Sequence, residues 1–387
     1  MAGGSGGVMR AGVIATILVV GCAAWMTNRG SGDLALPQTG TDVMSGGGAG
    51  SVSKPTREPA AVAQPKAPAP GRPEAAPSKT APPSAKPDAK SVSGEVRVGS
   101  WNIEWLGKPE DRSGVARDIA QDPNDLADAI IQSGVAVLGV AEVVTRIHGR
   151  PIRSREVEAV IDVMMRKTGD KWAYVLFPGR ADGDQLTGVL WNTAKVSALA
   201  ADGTPWSDAE NAPWMLPIPK QRSAQGSYLW NRPPHAMKFS AGEGKTDFVV
   251  VMLHMKADYQ GDFAAHRSEE AKALVKALPE LKKTFKDSDI VLTGDTNCTA
   301  QHEAALMTFE SAGFTDLNAS AKTTHWRGGF MDRSFVPSDQ PEFAGSVFQV
   351  GSDAYLKSRK LTPQDYKKRY SDHYLVWSTV KVMPDDD

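Results

Sequence analysis

At 387 residues, with 23% charged side chains and a formal charge of −1, the chain is long enough for a sizeable core and too mixed for a fibrous protein. Up to residue 94 it carries 9 Lys and Arg against 5 Asp and Glu, and beyond that 35 against 40, a balance of −5. Global attraction to a polyanion is thereby excluded, so such a ligand must be held by a local patch or by bound cations.

Residues 1–26 hold one charged side chain, Arg10, before the apolar run Ala11 to Met26. That run falls short of the about 20 residues a membrane span needs and fits an export signal better. Val19-Val20-Gly21-Cys22 resembles a bacterial lipobox, with Cys22 as the lipidated residue; an uncleaved signal anchor and an ordinary cleaved signal are the alternatives. Each places the remainder outside the cytoplasm, in the periplasm or cell envelope, and a lipid or anchor tethers it to a membrane. Residues 27–94 are Pro, Ala, Ser and Gly with scattered Lys, a composition that cannot offset its ordering entropy, so a disordered spacer is expected. Cys298 is then alone in the remainder, which must rely on its core and not on a disulfide.

From Glu95 the texture changes. Val96 and Val98 alternate with polar and small residues, opening a strand that runs into Trp101-Asn102-Ile103-Glu104-Trp105-Leu106. Leu126, Ile130 and Ile131 predict a helix over about 123–133, and the apolar run 135–140 that follows predicts a strand ending at Ala141-Glu142. A second helix is expected over 154–168, then strands at 172–177, 186–191, 236–239 and 248–254. Residues 202–231 read as a long loop packed by its own aromatics, Trp206, Trp214, Tyr228 and Trp230. A helix over 264–285, with acidic residues near its start and Lys282, Lys283 and Lys286 at its end, suits the helix dipole. Beyond it come the strand Asp289 to Thr293, a helix near 301–312, strands near 330–336 and 345–350, a basic helix near 363–370 and a last strand 374–380. Strand, helix and strand open the domain, and strands outnumber helices throughout. Two packed sheets with helices outside are the expected architecture.

The candidate chemistry lies at strand ends. Apolar runs lead into Asn102, Glu142, His254, and Asp295 with Asn297; Asp332 stands before Phe335-Val336, and Ser371-Asp372-His373 before the last strand. One such residue is a cap or turn, whereas a set converging on one rim is a site. Asp, Glu and Asn oxygens suit Mg²⁺, Mn²⁺ or Ca²⁺, and two His among carboxylates suit acid–base work near neutral pH. His148, His235, His302 and His325 have no comparable context and read as surface or core residues, and His266 as a structural residue on its helix.

Residues 96–380 resemble the endonuclease/exonuclease/phosphatase superfamily, whose fold is deoxyribonuclease I-like. The resemblance is carried by Ser100-Trp101-Asn102-Ile103-Glu104-Trp105, Val140-Ala141-Glu142, Leu253-His254, Gly294-Asp295-Thr296-Asn297, Met331-Asp332-Arg333 and Ser371-Asp372-His373-Tyr374, in the family's order. It implies a four-layer α/β/β/α sandwich and metal-dependent cleavage of a phosphoester. Glu142 would bind the ion with Asn102 and Asp372 nearby. His373, oriented by Asp332, would act on the attacking water or hold the scissile phosphate. Asp295 and Asn297 would position water and phosphate, and His254 would protonate the leaving oxygen. Asn231-Arg232-Pro233-Pro234 is similar to a segment that brings an Arg, here Arg232, to the phosphate. Ala141 and Thr296 replace the family's usual Gln and Phe. Gln185 falls where the deoxyribonuclease I branch keeps a Glu partnered to the strand-end His, which leaves His254 without that carboxylate.

The expected protein is a monomeric, Mg²⁺-dependent nuclease acting on DNA, exported and tethered, with nucleic acid as substrate and no protein partner deducible. A phospholipid-directed phosphodiesterase or inositol-phosphate phosphatase is the alternative, and a binding module on a retired catalytic fold is the third reading.

Overall fold

The computed structural model describes residues 94–108, 121–145, 151–179, 185–208, 210–217, 228–258 and 261–385. The export signal, the lipobox Cys22, the spacer before Gly94, and His148 lie outside the described residues. Among the described residues there are thirteen strands: β1 (Gly94–Leu106), β2 (Val137–Val143), β3 (Trp172–Leu176), β4 (Leu186–Asn192), β5 (Ser197–Leu199), β6 (Trp214–Met215), β7 (His235–Ser240), β8 (Asp247–His254), β9 (Ile290–Asp295), β10 (Phe314–Asp316), β11 (Asp332–Pro337), β12 (Gln349–Val350) and β13 (Val376–Val382). Six α-helices join them: α1 (Pro123–Ser133), α2 (Arg155–Thr168), α3 (Ala264–Phe285), α4 (Ala304–Ser311), α5 (Ser352–Arg359) and α6 (Pro363–Arg369).

The strands form two sheets, ordered β12-β13-β1-β2-β4-β3 and β10-β11-β9-β8-β7-β5, with β6 beside β7. Each sheet has one parallel pair, β1 with β2 and β8 with β9; the other pairs are antiparallel. Alternate residues divide three cores. Leu138, Val140 and Leu190 face α1 and α2; Val251, Leu253 and Leu292 face α3 and α4; Val98, Val137, Val250 and Val291 fill the space between the sheets. Period-two burial on strands that are apolar on both faces gives the α/β/β/α sandwich.

Local chemistry explains the helix limits. Asp122 caps α1 by accepting from Asn124 N, Pro123 opens it, and Gly134 closes it in a left-handed conformation at φ 69°. Ser154 and Gly169 do the same for α2. Four expectations need correction. The first turn of α3 carries no acidic residue; Glu270, a turn later, is buried and accepts from Lys256 N at 2.9 Å. α4 begins at Ala304 because the Glu303 carboxylate accepts from Thr299 N and Ala300 N and holds the preceding residues in a turn. β12 shrinks to two residues. β13 begins at Val376, since Tyr374 N donates to Thr324 O outside the sheet. Among the described part of 202–231, Trp230 is fully buried and Trp206 and Trp214 pack against the cores, so these aromatics pack the loop; Tyr228 stays exposed. Among the described residues no helix is long and apolar enough to cross a membrane.

Candidate active site

β1 and β2 run parallel, as do β8 and β9, and β11 and β13 run antiparallel to their neighbours β9 and β1. The ends of the first four and the starts of the last two therefore meet on one rim. That rim carries Asn102, Glu142, His254, Asp295, Asp332, Asp372 and His373. Gly294 makes the approach possible: at φ 144°, a Cβ there would lie 2.1 Å from Leu253 O. The next pair in the same register is His254 opposite Asp295.

His373 lies between two buried carboxylates. Its Nδ1 donates to Asp332 Oδ2 at 2.8 Å, which leaves Nε2 turned towards Asp295 Oδ2 at 3.7 Å and Asp372 Oδ1 at 3.9 Å. Trp101 Nε1 donates to His373 O, and His373 N donates to Ser371 Oγ, so backbone and ring are both fixed. Burial works against a charged imidazole here, but Asp332 and Asp295 outweigh it and hold His373 well above the ordinary range.

Asn102 is the hub between the sheets. Its Nδ2 donates to Glu142 Oε1 and to Asp295 Oδ2, both at 3.1 Å, and its Oδ1 accepts from Glu104 N. Glu142 sits at φ 63°, so the end of β2 leaves the pleat and turns its side chain along the rim. Asn297, at φ 52°, bends the chain after β9; its N donates to Asp295 Oδ1 and its Nδ2 to Met255 O.

His254 Nε2 is 3.6 Å from Glu142 Oε1 and 3.9 Å from Asp295 Oδ2, while Nδ1 is buried with no hydrogen-bond partner among the described residues. Gln185 does not reach it. Instead Gln185 Oε1 accepts from Arg232 Nη1 at 3.3 Å, and Arg232 also donates to Met255 O and His254 O. Burial, then the charges of Arg232 and His373, push His254 well below the ordinary range, so it is neutral and offers one N–H. Arg232 is half-buried beside this imidazole.

An oxygen-rich set faces the rim. Burial, then the negative charge of Asp372, push the Glu142 carboxyl up to about 7. Two carboxylates that disfavour one another, beside the Asn102 carboxamide, are a donor set that a hard divalent cation satisfies, so the residues fit such an ion. Groups of His and carboxylate atoms within 4.8 Å of one another occur at His325, Asp372 and His373 and at Asp295, Asp332 and His373. The second group is His373 with the two carboxylates already described, one hydrogen-bonded and one 3.7 Å away.

The sequence reading missed His325. Its loop forms an antiparallel bridge with His373, and Trp326 N donates to Asp372 O, which seats the imidazole 5.1 Å from the His373 ring, centroid to centroid. Glu104 was also missed: its Oε2 accepts from Asp372 N at 3.0 Å, tying the end of β1 to the segment before β13. His235 and His266 match the structural reading, with His235 stacked on Phe177 and His266 bonded through Nε2 to Leu229 O.

No family model matches the chain, and no curated protein matches it. Among solved structures, it is similar to an endonuclease/exonuclease/phosphatase family protein from Bacteroides thetaiotaomicron at 18% identity, over 75% of this chain and 95% of that one, with a TM-score of 0.49. It is similar to the human Nocturnin catalytic domain at 14% identity, over 75% and 96%, with a TM-score of 0.48. A mannosyl-6-phosphatase from Bacteroides thetaiotaomicron is similar at 17% identity, over 74% and 99%, with a TM-score of 0.47.

Proposed function

We propose that the chain is a divalent-metal-dependent phosphodiesterase, a nuclease that cuts DNA internally, exported and held at a membrane by its N-terminal segment. The observation that carries the reading is His373 lying between Asp332 and Asp295, 2.8 and 3.7 Å away, with Asn102, Glu142 and His254 on the same rim.

In this reading, His373, kept positive by its two carboxylates, holds a non-bridging oxygen of the scissile phosphate. Asp295 accepts the proton of the attacking water as its oxygen bonds to phosphorus. The bond from phosphorus to the leaving oxygen breaks; neutral His254 gives this oxygen a hydrogen bond from its N–H, and solvent supplies the proton, so the general-acid role expected of His254 gives way to that of a hydrogen-bond donor. Asn297 and Arg232 orient the phosphate. Glu142, Asp372 and the Asn102 oxygen would hold Mg²⁺, with Mn²⁺ or Ca²⁺ as other occupants of the same donor set. When bound, the ion supplies positive charge against the charge that builds on the phosphate oxygens.

The test is nicking of supercoiled plasmid by the full chain, with Mg²⁺ and with EDTA in parallel. Nicking with Mg²⁺ that is lost in His373→Ala, in protein shown to be folded, supports the reading. A folded wild-type protein that leaves plasmid intact overturns it; sphingomyelin and phosphoinositide are then the substrates to assay.

A further inference from the structure

His325 stands closer to the centre of the site than its sequence context suggests. Its side chain is mostly buried, and Nε2 lies 3.7 Å from Asp372 Oδ2. The loop that carries it is fastened to the Asp372–Tyr374 segment at several points. Trp326 N donates to Asp372 O, Tyr374 N donates to Thr324 O, and His325 pairs with His373 as a bridge. Within the loop, Thr324 N and His325 N both donate to Gly329 O, and Asp332 N donates to Thr324 Oγ1. An imidazole on such a loop has little freedom to leave Asp372.

The hydrogen bonds select the tautomer. Arg327 N donates to His325 Nδ1 at 3.3 Å, so Nδ1 is the acceptor and Nε2 carries the proton. A protonated Nε2 has no lone pair for a metal ion, although its position within 4.8 Å of Asp372 and His373 atoms would otherwise suit one. It faces the carboxylate as a donor instead. At 3.7 Å the pair is beyond hydrogen-bond length, and a shift of under about 1 Å closes it.

We propose that His325 is a positioning residue: a fixed N–H donor that aims the Asp372 carboxylate at the divalent ion. Asp372 has one oxygen towards His325 and the other towards His373, so two imidazoles bracket it. Once the His325 contact closes, the carboxylate keeps its orientation whether or not the ion is bound. The inference rests on the phosphodiesterase reading for its catalytic consequence, and on metal binding for its direct one.

Two substitutions separate a donor from a packing role. His325→Phe keeps a ring against His373 and removes the N–H, whereas His325→Gln keeps an N–H and removes the ring. Calorimetric titration of the full chain with Mn²⁺ alone is the primary readout. The expected result is that Phe weakens Mn²⁺ binding about 10–100-fold while Gln stays within about threefold of wild type. Plasmid nicking then shows a matching rise in half-saturating Mg²⁺ for Phe, with the rate at saturating Mg²⁺ close to wild type. Equal Mn²⁺ affinity in all three folded proteins overturns the proposal, as does greater weakening by Gln than by Phe. A nitrogen coupling in the Mn²⁺ resonance spectrum that vanishes in both variants would make His325 a ligand and overturn it too. If Mn²⁺ binding follows the expected order but no plasmid or phospholipid is cut, the positioning role stands and the phosphodiesterase reading alone fails.

Discussion

Asp332 lies directly opposite Asp295 across the antiparallel pair of β11 and β9, two buried carboxylates on adjacent strands. Such a pair is unfavourable unless a cation lies between, and the His373 imidazole supplies it. Asp332→Asn keeps the shape but offers an amide with reduced power to hold His373 protonated and aimed. Phosphodiesterase activity is expected to fall about 10²–10⁴-fold, with the larger loss at higher pH, and with little change in melting temperature. Kinetics from pH 6 to 9, with a thermal melt of each protein, check this.

Glu142→Gln separates catalysis from stability. The substitution keeps an oxygen to accept from Asn102 Nδ2 but removes a charge that burial and Asp372 oppose. Mg²⁺-dependent activity should be lost, while stability without metal should rise by on the order of 1–3 kcal/mol at pH 8. Urea denaturation in EDTA gives the second number directly.

His235 should make the fold acid-sensitive. Burial pushes it down to about 4, with its Nδ1 donating to Pro233 O and its ring on Phe177. The unfolded chain takes up the proton near 6.5, so this contribution is complete above that pH and is lost as pH falls towards 4. The window amounts to roughly 3 kcal/mol. His235→Phe should lose less stability than wild type between pH 7 and pH 4.5, and melts of both proteins at the two pH values test the difference.

Gly139 leaves room for the Met252 side chain between the two sheets. A Cβ there would meet Met252 Sδ at 1.7 Å, so β2 and β8 touch where one strand has no side chain. Gly139→Val should cost about 1–3 kcal/mol through overpacking, with part recovered by Met252→Val in the same chain. Because β2 carries Glu142 one residue before its end and β8 ends in His254, activity should fall together with the urea midpoint.

Cys298 should be chemically silent. It is fully buried, and burial together with Glu303 pushes its thiol up to about 12. A maleimide added to native protein should leave the Cys298 peptide unlabelled by mass spectrometry, and labelling should appear in denaturant.

Much of this arrangement was legible because strands buried on both faces give unbroken apolar runs, and the polar residue ending each run stands out. Asn102, Glu142, His254 and Asp295 were found in that way, and parallel pairing brings their strand ends together. His325 was not legible. Nothing near it in sequence distinguishes it, and only the bridge to His373, far along the chain, brings it to the rim. Gln185 was legible in part: that it leaves His254 without a carboxylate partner was expected, whereas its bond from Arg232, 47 residues along the chain, has no signal in the sequence. The short strands β5, β6 and β10 escaped notice because two or three residues show no periodicity. Left-handed conformations at Glu104, Trp105, Glu142 and Asn297 are equally silent in sequence, since none is glycine.

The order of strands in the first sheet has a consequence during synthesis. β13, which follows Asp372 and His373, is inserted between β12 and β1, so β1 waits for β13 before that edge is covered. A growing chain can complete β5 to β11 and bury much of the second sheet while the rim still lacks His373. On the proposed reading, a nascent or truncated product therefore has no working site, and the capacity to cut appears only once synthesis has passed β13.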